Sequence, residues 1–470
     1  MFLHVKRFHM VGIGGSGMSG IAQVLKGLGF EVMGSDAKPG PVTAHLEKMG
    51  IAVSIGHRAE QVGQADVVVR STAVPDSNIE IQEAGRRGIP IVGRGELLAE
   101  LTRMGETIAV AGTHGKTTTT SMIACVTTGC GLDPTVIIGG RVRQIVGRVE
   151  PAYGAWISKT QGGKGLFVIE SDESDGSFLK LHPAMAVVTN IDTDHLDHYG
   201  TMDHLRNAFR DFLNRLPFYG VGVVCWDDSQ IRRIRPEIQR KILTYGFSES
   251  ADLRAESPVL RGSGSSFAVR YKQESFGEFQ LSIPGRHHIL NALATIAVAR
   301  ELDLPIPKIR DSLAQFRGVA RRFESHGPVG GVELYDDYGH HPTEIKATLE
   351  TARVAHPGAK IFVLFQPHRF TRTKLLAHEF GTAFEQADQL VVTDIYAASE
   401  MPINGISGET VAESVRQKGR PPVRFVRSWQ EGVQDILRQV RPGDLILTLG
   451  AGDIDQAPAS LTEELRKRHG

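Results

Sequence analysis

Short apolar runs alternate with amphipathic stretches along the whole chain. The runs have the length and the β-branched composition of buried strands, whereas the stretches between them show helical spacing of apolar residues. Strand-like runs lie at 7–15, 31–36, 65–71, 90–93, 166–170, 185–189, 220–225, 332–337, 360–365, 389–393 and 444–449. Helical periods lie at 18–28, 281–300 and 342–354. This alternation predicts an α/β protein built on mainly parallel sheets.

The pattern also predicts three domains. Residues 102–106 resemble a linker, and a third series of alternating elements begins near Arg321. We expect a Rossmann-like domain at 1–104, a central domain with a phosphate-binding loop and a mainly parallel sheet at 105–320, and a Rossmann-like domain at 321–470. A chain of 470 residues suffices for about three domains of ~150 residues each.

One segment does not fit the alternation. Residues 142–164 show no clear period, and we expect them to form a long, mobile surface loop.

Composition narrows the functional classes. Lys plus Arg and Asp plus Glu both number 53, so no basic surplus indicates a nucleic-acid or membrane partner. The three cysteines are odd in number and lack metal-ligand spacing, which is typical of a reducing compartment and predicts a cytoplasmic location. The sequence predicts neither a signal peptide nor a membrane span, and it indicates no oligomeric state.

The segment 106–122, ETIAVAGTHGKTTTTSM, carries the most specific chemistry. An apolar strand leads into Gly112 and Gly115, whose backbone freedom allows N–H groups to turn towards an anion. Lys116 would supply positive charge to the terminal phosphates of a nucleotide, and Thr117 would place a hydroxyl on Mg²⁺. The pattern therefore predicts a phosphate-binding loop.

The spacing of this loop is unusual, because Val110 stands where the common motif has a glycine. The alternative is an ordinary strand, turn and helix with an exposed Lys116. The strand before the loop and the threonines after it favour nucleotide binding.

A second glycine turn follows the first strand. Gly12, Gly14 and Gly17 match the dinucleotide fingerprint, and Asp36 ends the next strand, where a ribose-binding acid would lie. The pattern favours a diphosphate and is weak for NAD. An NAD-dependent oxidoreductase stays open at this point, as does a turn that needs glycine only for close packing.

Two central strands end in polar clusters, SDESDGSF at 171–178 and NIDTDHLDHYG at 190–200. Chemistry in an open α/β sheet gathers beyond the carboxyl ends of the strands. Glu170 is therefore a candidate Mg²⁺ ligand, and His195 is a candidate for a second divalent ion or a phosphate. A solvated loop charge or a helix cap is the better explanation of either residue when it is taken singly. Asn291 is either a hydrogen-bonding residue near a helix start or an adenine contact.

Three strand ends of the last domain are dense in His, Arg and Asp: DDYGHHPTE at 336–344, QPHRFTRT at 366–373 and LGAGDI at 449–454. Arg369 and Arg372, beside His368, could hold a carboxylate through forked, charge-assisted hydrogen bonds. A basic loop facing water is the alternative for any one of them.

Taken together, the motifs resemble those of one family, the ATP-dependent Mur ligases of bacterial cell-wall synthesis. The resemblance runs from end to end of the chain. The motifs that carry it are GIGGSGMSG (12–20), GTHGKTTTT (112–120), ESDESDGSF (170–178), DHLDHYG (194–200), IPGRHHILNA (283–292), RRFE (321–324), DDYGHHPTE, QPHRFTRT and GAGDI (450–454). The resemblance implies one domain for a UDP-sugar, one for ATP and one for an amino acid.

The resemblance also implies a reaction. ATP would phosphorylate the lactyl carboxylate of UDP-N-acetylmuramate, and the amine of L-alanine would displace the phosphate. A recycling ligase of the same family, which attaches a ready-made tripeptide to the same sugar nucleotide, stays open, although ESDESDGSF and QPHRFTRT favour alanine. A nucleotide-regulated binding protein that hydrolyses ATP is a further class. An oxidoreductase would leave GTHGKTTTT unexplained.

Site residues follow from the resemblance, position by position. The expected catalytic residues are Lys116, Glu170 and His195. The expected ATP contacts are Gly112, Thr113, His114, Gly115, Lys116, Thr117, Thr118, Asn291, Arg322 and Asp337. The expected UDP-sugar contacts are Gly14, Gly15, Ser16, Gly17 and Asp36. The expected amino-acid contacts are Tyr338, His340, His368, Arg369 and Arg372. The expected Mg²⁺ ligands are Thr117, Glu170 and His195.

The chain departs from the family pattern at three places. His288 stands where the family usually has asparagine, which changes one hydrogen-bonding group near the expected nucleotide site. The segment 142–164 has no recognisable family pattern, so no substrate contact is carried over to it. Several members carry a carbamylated lysine near the second metal, but 196–216 contains no lysine and none is expected.

Overall fold

The computed structural model of the chain describes residues 4–142, 152–158, 165–262, 264–398 and 400–469. The chain forms two compact units. The first comprises Met1–Glu256, Ala268–Phe279 and Leu290–Arg317, and the second comprises Ser257–Phe267, Gln280–Ile289 and Gly318–Gly470. Strands and helices alternate throughout, which confirms the predicted α/β class.

The N-terminal part of the first unit is a five-stranded parallel sheet with its helices. Its elements are β1 (Arg7–Val11), α1 (Ser16–Gly27), β2 (Glu31–Asp36), α2 (Pro41–Lys48), β3 (Ala52–Ile55), β4 (Val67–Arg70), α3 (Ile79–Arg86), β5 (Ile91–Gly93) and α4 (Arg94–Thr102). The strand order is β3-β2-β1-β4-β5. The predicted βαβ opening is confirmed. β3 was not predicted, because AVSI is short and none of its four residues is buried.

A ten-stranded sheet follows. Its elements are β6 (Gly105–Ala111), α5 (Lys116–Gly129), β7 (Thr135–Val142), β8 (Ala152–Trp156), β9 (Gly165–Glu170), β10 (Met185–Val188), α6 (Leu196–Tyr199), α7 (Met202–Asn214), β11 (Val221–Cys225), α8 (Ser229–Ile234), β12 (Lys241–Gly246), β13 (Leu253–Arg261), β14 (Gly264–Tyr271), β15 (Glu274–Leu281), α9 (Arg286–Glu301) and α10 (Ile306–Gln315). The order is β15-β14-β13-β12-β11-β10-β6-β9-β7-β8. The strands from β12 to β7 pair in parallel.

Two expectations about this part of the chain are wrong. The linker expected at 102–106 is shorter, because Gly105 and Glu106 already belong to β6. The unstructured loop expected at 142–164 contains β8, which pairs with β7 in antiparallel orientation. The five residues AYGAW are too few to show a period, and Gly154 interrupts them with φ +71°. The rest of that segment lies largely outside the described residues.

The second unit carries the third sheet. Its elements are β16 (Glu324–Val329), β17 (Val332–Asp337), α11 (Pro342–Ala355), β18 (Ile361–Phe365), α12 (Phe370–Leu375), α13 (Ala377–Ala383), β19 (Gln389–Val392), α14 (Gly408–Lys418), β20 (Val423–Phe425), α15 (Trp429–Gln439), β21 (Leu445–Leu449) and α16 (Ala457–His469). The order is β16-β17-β21-β18-β19-β20. Five strands are parallel as expected, but the edge strand β16 is antiparallel to β17.

Alternating side chains of the third sheet pack into two cores. In β18, Val363 and Phe365 join one buried cluster, whereas Phe362 and Leu364 join the other. Both faces of the strand are thus covered, which is why it reads as a continuous apolar run rather than an alternating one. Among the described residues, no helix is long and apolar enough to cross a membrane.

Candidate active site

The loop between β6 and α5 has the backbone of a phosphate-binding turn. Gly112 and Gly115 adopt φ +128° and +81°, values that favour glycine. A Cβ atom on Gly112 would collide with Thr189 Oγ1, and one on Gly115 would lie 2.8 Å from Asn291 Oδ1. Both positions therefore favour glycine, and Asn291 lies beside the loop, whereas its contact with adenine stays a prediction.

Residues that follow β10 fix the shape of this loop. Asn190 accepts from Thr113 N at 3.1 Å through its carbonyl and from His114 N at 2.8 Å through Oδ1. Thr189 Oγ1 donates to the carbonyl of His114 at 2.6 Å. Asp192 N donates to Thr113 Oγ1 at 2.9 Å, and the Asp192 carboxylate lies 3.0 Å from His114 Nε2. Sequence reasoning singled out neither Asn190 nor Asp192, although both belong to the quoted cluster.

Lys116 is held inside the loop. Its Nζ donates to the carbonyls of Gly112 and Thr113 at 2.7 and 3.1 Å and to the Glu173 carboxylate at 2.9 Å. Its side chain is 15% exposed, so the alternative of an exposed lysine is wrong. Burial disfavours the ammonium ion, but the charges of Glu173 and Asp172 outweigh that effect and raise the pKa of Lys116 above its usual value.

Glu173 connects Lys116 to His195. Its carboxylate is fully buried and lies 3.6 Å from His195 Nε2, while its carbonyl accepts from Tyr199 at 2.5 Å. Burial raises the pKa of Glu173 to about 7, although the charge of Lys116 opposes that rise. Glu173 is a site residue that sequence reasoning missed, because one carboxylate among four acidic or hydroxyl neighbours carries no distinguishing signal.

The predicted Mg²⁺ ligands Thr117 and Glu170 contact each other. Thr117 Oγ1 donates to Glu170 Oε1 at 2.9 Å, and Gly139 N donates to Glu170 Oε2 at 2.6 Å. A hydroxyl and a carboxylate form the oxygen-rich donor set that Mg²⁺ prefers, so these residues fit the ion. His195 precedes the short helix α6 in a left-handed conformation, with φ 57°. It reaches the group through Glu173.

The first glycine turn is closed by Asp36. Gly14 N donates to Asp36 Oδ2 at 2.8 Å, and Gly15 is the residue before α1. Ser16 begins α1, but its side chain lies outside the described residues. A Cβ atom on Gly17 would collide with the guanidinium of Arg94. Asp36 therefore fixes the turn, and its role towards ribose stays a prediction.

The predicted amino-acid residues gather in the second unit. The Tyr338 and His340 rings lie 5.4 Å apart, and the His340 and His368 rings lie 5.5 Å apart. Arg372 Nη1 lies 3.1 Å from His368 Nδ1 and donates to its carbonyl at 3.3 Å. Arg369 adopts φ +70° at the start of α12. Tyr396, which sequence reasoning missed, stacks on His368 at 5.7 Å.

Asp337 and Arg322 lie at the base of that group. Asp337 accepts from the backbone N–H groups of Phe323 and Gly339, both at 2.6 Å. Burial raises the pKa of Asp337 to about 6 despite the charge of Arg322. The Arg322 guanidinium lies 5.0 Å from the Tyr338 ring. Asp337 and Arg322 thus help to shape the segment that follows β17, and their contact with ATP stays a prediction.

His288, the departure from the family pattern, is a buried neutral group. Its Nδ1 donates to the carbonyl of Pro284 at 2.6 Å. Burial lowers the pKa of His288 to about 4, because a charged imidazole would lose its water. The histidine is therefore a neutral donor that is bonded to the backbone before α9.

These features together define the class of the protein. Three models of the Mur ligase family match the chain: the "Mur ligase family, catalytic domain" at 7–105, the "Mur ligase middle domain" at 110–299 and the "Mur ligase, glutamate ligase domain" at 321–452. The chain belongs to the Mur ligase family, and its three sheets correspond to the three parts of that fold.

Particular relatives are similar over nearly their whole length. The chain is 51% identical to a UDP-N-acetylmuramate–L-alanine ligase of Solidesulfovibrio magneticus, covering 98% of this chain and 99% of the relative. A ligase of the same name from Geobacter sulfurreducens is 48% identical, with 99% of both chains covered. The crystal structure of a UDP-N-acetylmuramate-alanine ligase from Thermotoga maritima superimposes with a TM-score of 0.83 at 31% identity, covering 99% of this chain and 100% of that one.

Proposed function

We propose that this chain joins L-alanine to UDP-N-acetylmuramate in an ATP-dependent reaction that passes through an acyl phosphate and releases ADP and phosphate. The observation that carries the proposal is the loop in which Lys116 is buried against Glu173 beside the Thr117 and Glu170 pair. Relatives of about half identity, named for this reaction over nearly the whole chain, support the choice of substrates.

The chemistry requires activation of a carboxylate. A carboxylate repels an incoming amine, whereas an acyl phosphate offers a good leaving group. Phosphoryl transfer depends chiefly on positioning and on stabilising the charge of the phosphate oxygens. Lys116 carries a positive charge held at a fixed place by two carbonyls and one carboxylate, so little reorganisation is needed when a phosphate arrives. Backbone N–H groups at the start of α5, including that of Thr118, would bind the other phosphates.

Mg²⁺ fits the oxygen donors of this site. Thr117 and Glu170 would hold one ion, and His195 would hold a second. Bound there, Mg²⁺ would supply positive charge that offsets the negative charge of the phosphate oxygens and of the substrate carboxylate. Asn291, beside Gly115, is assigned to the adenine, and Arg322 and Asp337 are assigned to the nucleotide. Thr113 and His114 shape the loop.

The sugar nucleotide is assigned to the first glycine turn. The residues of the turn, Gly14, Gly15, Ser16 and Gly17, are assigned to the diphosphate, and the backbone N–H groups at the start of α1 suit that anion. Asp36 anchors the turn through the N–H of Gly14. A Rossmann turn thus serves a UDP group without hydride chemistry, which removes the reason for an oxidoreductase.

L-Alanine is assigned to the group of Tyr338, His340, His368, Arg369 and Arg372. A guanidinium pairs with a carboxylate through two parallel hydrogen bonds, so Arg372 would hold the alanine carboxylate and leave its amine free. His368, bonded to Arg372, keeps the guanidinium in place.

The test is the transfer of radiolabelled L-alanine to UDP-N-acetylmuramate with Mg-ATP, with the tripeptide L-alanyl-γ-D-glutamyl-meso-diaminopimelate as competitor. Labelled sugar nucleotide that forms despite excess tripeptide supports the proposal. No labelled product in the absence of tripeptide overturns it. ADP release that does not require both other substrates would instead indicate a nucleotide-hydrolysing binding protein.

A further inference from the structure

Arg94 is the first residue of α4, and its guanidinium lies between two segments that bind different substrates under the proposed function. Its Nη2 donates to Asp172 Oδ2 at 3.0 Å and to Asp175 Oδ2 at 3.3 Å. The same guanidinium covers Gly17, where a Cβ atom would lie 3.0 Å from Arg94 Cδ and would collide with Nη1. One side chain therefore contacts the first turn of α1 and the acidic segment after β9.

The acidic segment also contacts the phosphate loop. Asp172 and Asp175 lie on either side of Glu173, the carboxylate that holds Lys116. Oδ1 of Asp172 accepts from the backbone N–H of Ser174 at 3.0 Å, and Oδ1 of Asp175 accepts from that of Ser177 at 2.9 Å. The Oδ2 atoms of the two aspartates accept from Arg94. The guanidinium thus holds the turn from which Glu173 projects.

Helix α4 also packs closely on that turn. A Cβ atom on Gly95 would collide with the side chain of Ser177. Burial opposes the charge of Arg94, but Asp172 and Asp175 outweigh it and raise its pKa. The side chain is 15% exposed. These contacts hold the Arg94 side chain in place, unlike the side chain of an exposed surface arginine.

We propose that Arg94 is a positioning residue that couples the sugar-nucleotide site at the first turn of α1 to the phosphate loop. The inference rests on the proposed function. A diphosphate beside Gly17 attracts the guanidinium, which holds Asp172 and Asp175 in place. Glu173 then keeps Lys116 in position for the phosphates, so the loop binds ATP more tightly when the sugar nucleotide is present. The coupling is reciprocal, because each ligand changes the affinity for the other by the same factor.

The test compares Arg94→Met with Arg103→Met. Arg103 lies at the other end of the same helix, where its side chain is 56% exposed and pairs with Glu100. Calorimetry measures the dissociation constant of a non-hydrolysable Mg-ATP analogue with and without saturating UDP-N-acetylmuramate. In the wild type and in Arg103→Met, the sugar nucleotide is expected to tighten analogue binding at least ~5-fold. In Arg94→Met the factor is expected to fall to about one, with analogue affinity in the absence of sugar nucleotide within ~3-fold of the wild type.

Further variants separate coupling from folding. Arg94→Lys keeps the charge but cannot bridge two carboxylates with one planar fork, so an intermediate coupling factor is expected. It replaces Arg94→Met if that variant loses its cooperative thermal transition. Asp175→Asn is expected to weaken coupling, and combining it with Arg94→Lys should lower the coupling factor by less than the product of the two single effects, because both act through one contact.

Two results would overturn the inference. One is full coupling in both Arg94→Met and Arg94→Lys, and the other is a wild type that makes labelled alanine product while its coupling factor is one. In the second case the proposed function stands. A wild type that makes no labelled product contradicts the proposed function through its own assay.

Discussion

At the scale of single residues, the ammonium group of Lys116 is held in place by two backbone carbonyls and by the carboxylate of Glu173. The sequence singled out Lys116 because its glycine turn is a local pattern. Glu173, Asn190 and Asp192 were not singled out, because their contacts with the loop depend on strands that are far apart in the chain. The glycine turn with Lys116 was therefore predictable from the sequence, whereas the residues that hold this turn in place could be identified only from the fold.

Lys116→Ala should abolish turnover. The ammonium ion would be lost from the place where phosphate charge develops, at a cost of at least ~3 kcal/mol in transition-state stabilisation. The measurement is the initial rate of alanine transfer. Lys180→Ala is the control, because Lys180 is 54% exposed on the chain that follows the acidic segment. Retention of most activity in Lys116→Ala would show that the phosphate loop is misassigned.

Arg372→Ala should mainly impair the use of alanine. Its loss removes the forked partner of the carboxylate, so the KM for L-alanine is expected to rise by ~10-fold or more, while the affinity for the sugar nucleotide stays near the wild-type value. Lys374→Ala is the matched control, since Lys374 is exposed on the same helix. Equal weakening of both substrates by Arg372→Ala would place the amino-acid site elsewhere.

His288→Asn should change how stability depends on pH. The pKa of His288 is about 4 in the folded chain, against ~6.5 when unfolded, so the neutral form is favoured by folding. As pH falls from ~6.5 towards 4, the unfolded state gains a proton first and the free energy of unfolding decreases, by about 2 kcal/mol at pH 5. That decrease should be absent from the asparagine variant.

Urea denaturation at pH 8 and pH 5 measures the difference, and exposed His182→Asn is the control. If the wild type and His288→Asn lose the same free energy of unfolding between the two pH values, His288 does not titrate as its burial requires.

At the scale of elements, strands and helices with a clear residue pattern were predictable from the sequence, whereas an element that depends on close packing against other elements was not. β2 and β17 begin and end at the expected residues, because each is a short strand-like run that is followed by glycine and proline. β8 was missed, since its role is to pair with β7 and to pack against α1. The first two sheets lie in the same compact unit.

Gly20→Ala tests this packing. Gly20 faces β8, and a Cβ atom would lie 2.6 Å from the carbonyl oxygen of Gly154, which cannot move without shifting the strand. We expect a loss of about 1–3 kcal/mol in the free energy of unfolding. Gly85→Ala is the matched control, because Gly85 lies in α3 with open space around its Cα, and it should be neutral or stabilising by up to ~1 kcal/mol. Equal effects of the two substitutions on the thermal midpoint would exclude close packing of α1 on β8.

At the scale of the whole molecule, the alternation of strands and helices predicted three sheets, and three family models match the corresponding parts of the chain. The boundaries at 104 and 320 stay predictions. The equal numbers of acidic and basic residues leave no net charge to attract anions, so under the proposed function each anionic substrate would be bound by local groups such as Lys116 and Arg372.

The central claim is that a sugar carboxylate is activated as an acyl phosphate. It is tested most directly with UDP-N-acetylmuramate whose carboxylate oxygens are both ¹⁸O, incubated with Mg-ATP, L-alanine and the protein. Phosphorylation places one labelled oxygen between carbon and phosphorus, and attack by the amine breaks the bond from carbon to that oxygen. Mass spectrometry should therefore find one ¹⁸O in each phosphate released and one in the amide product. An amide product that retains its label while the phosphate carries none would contradict the account.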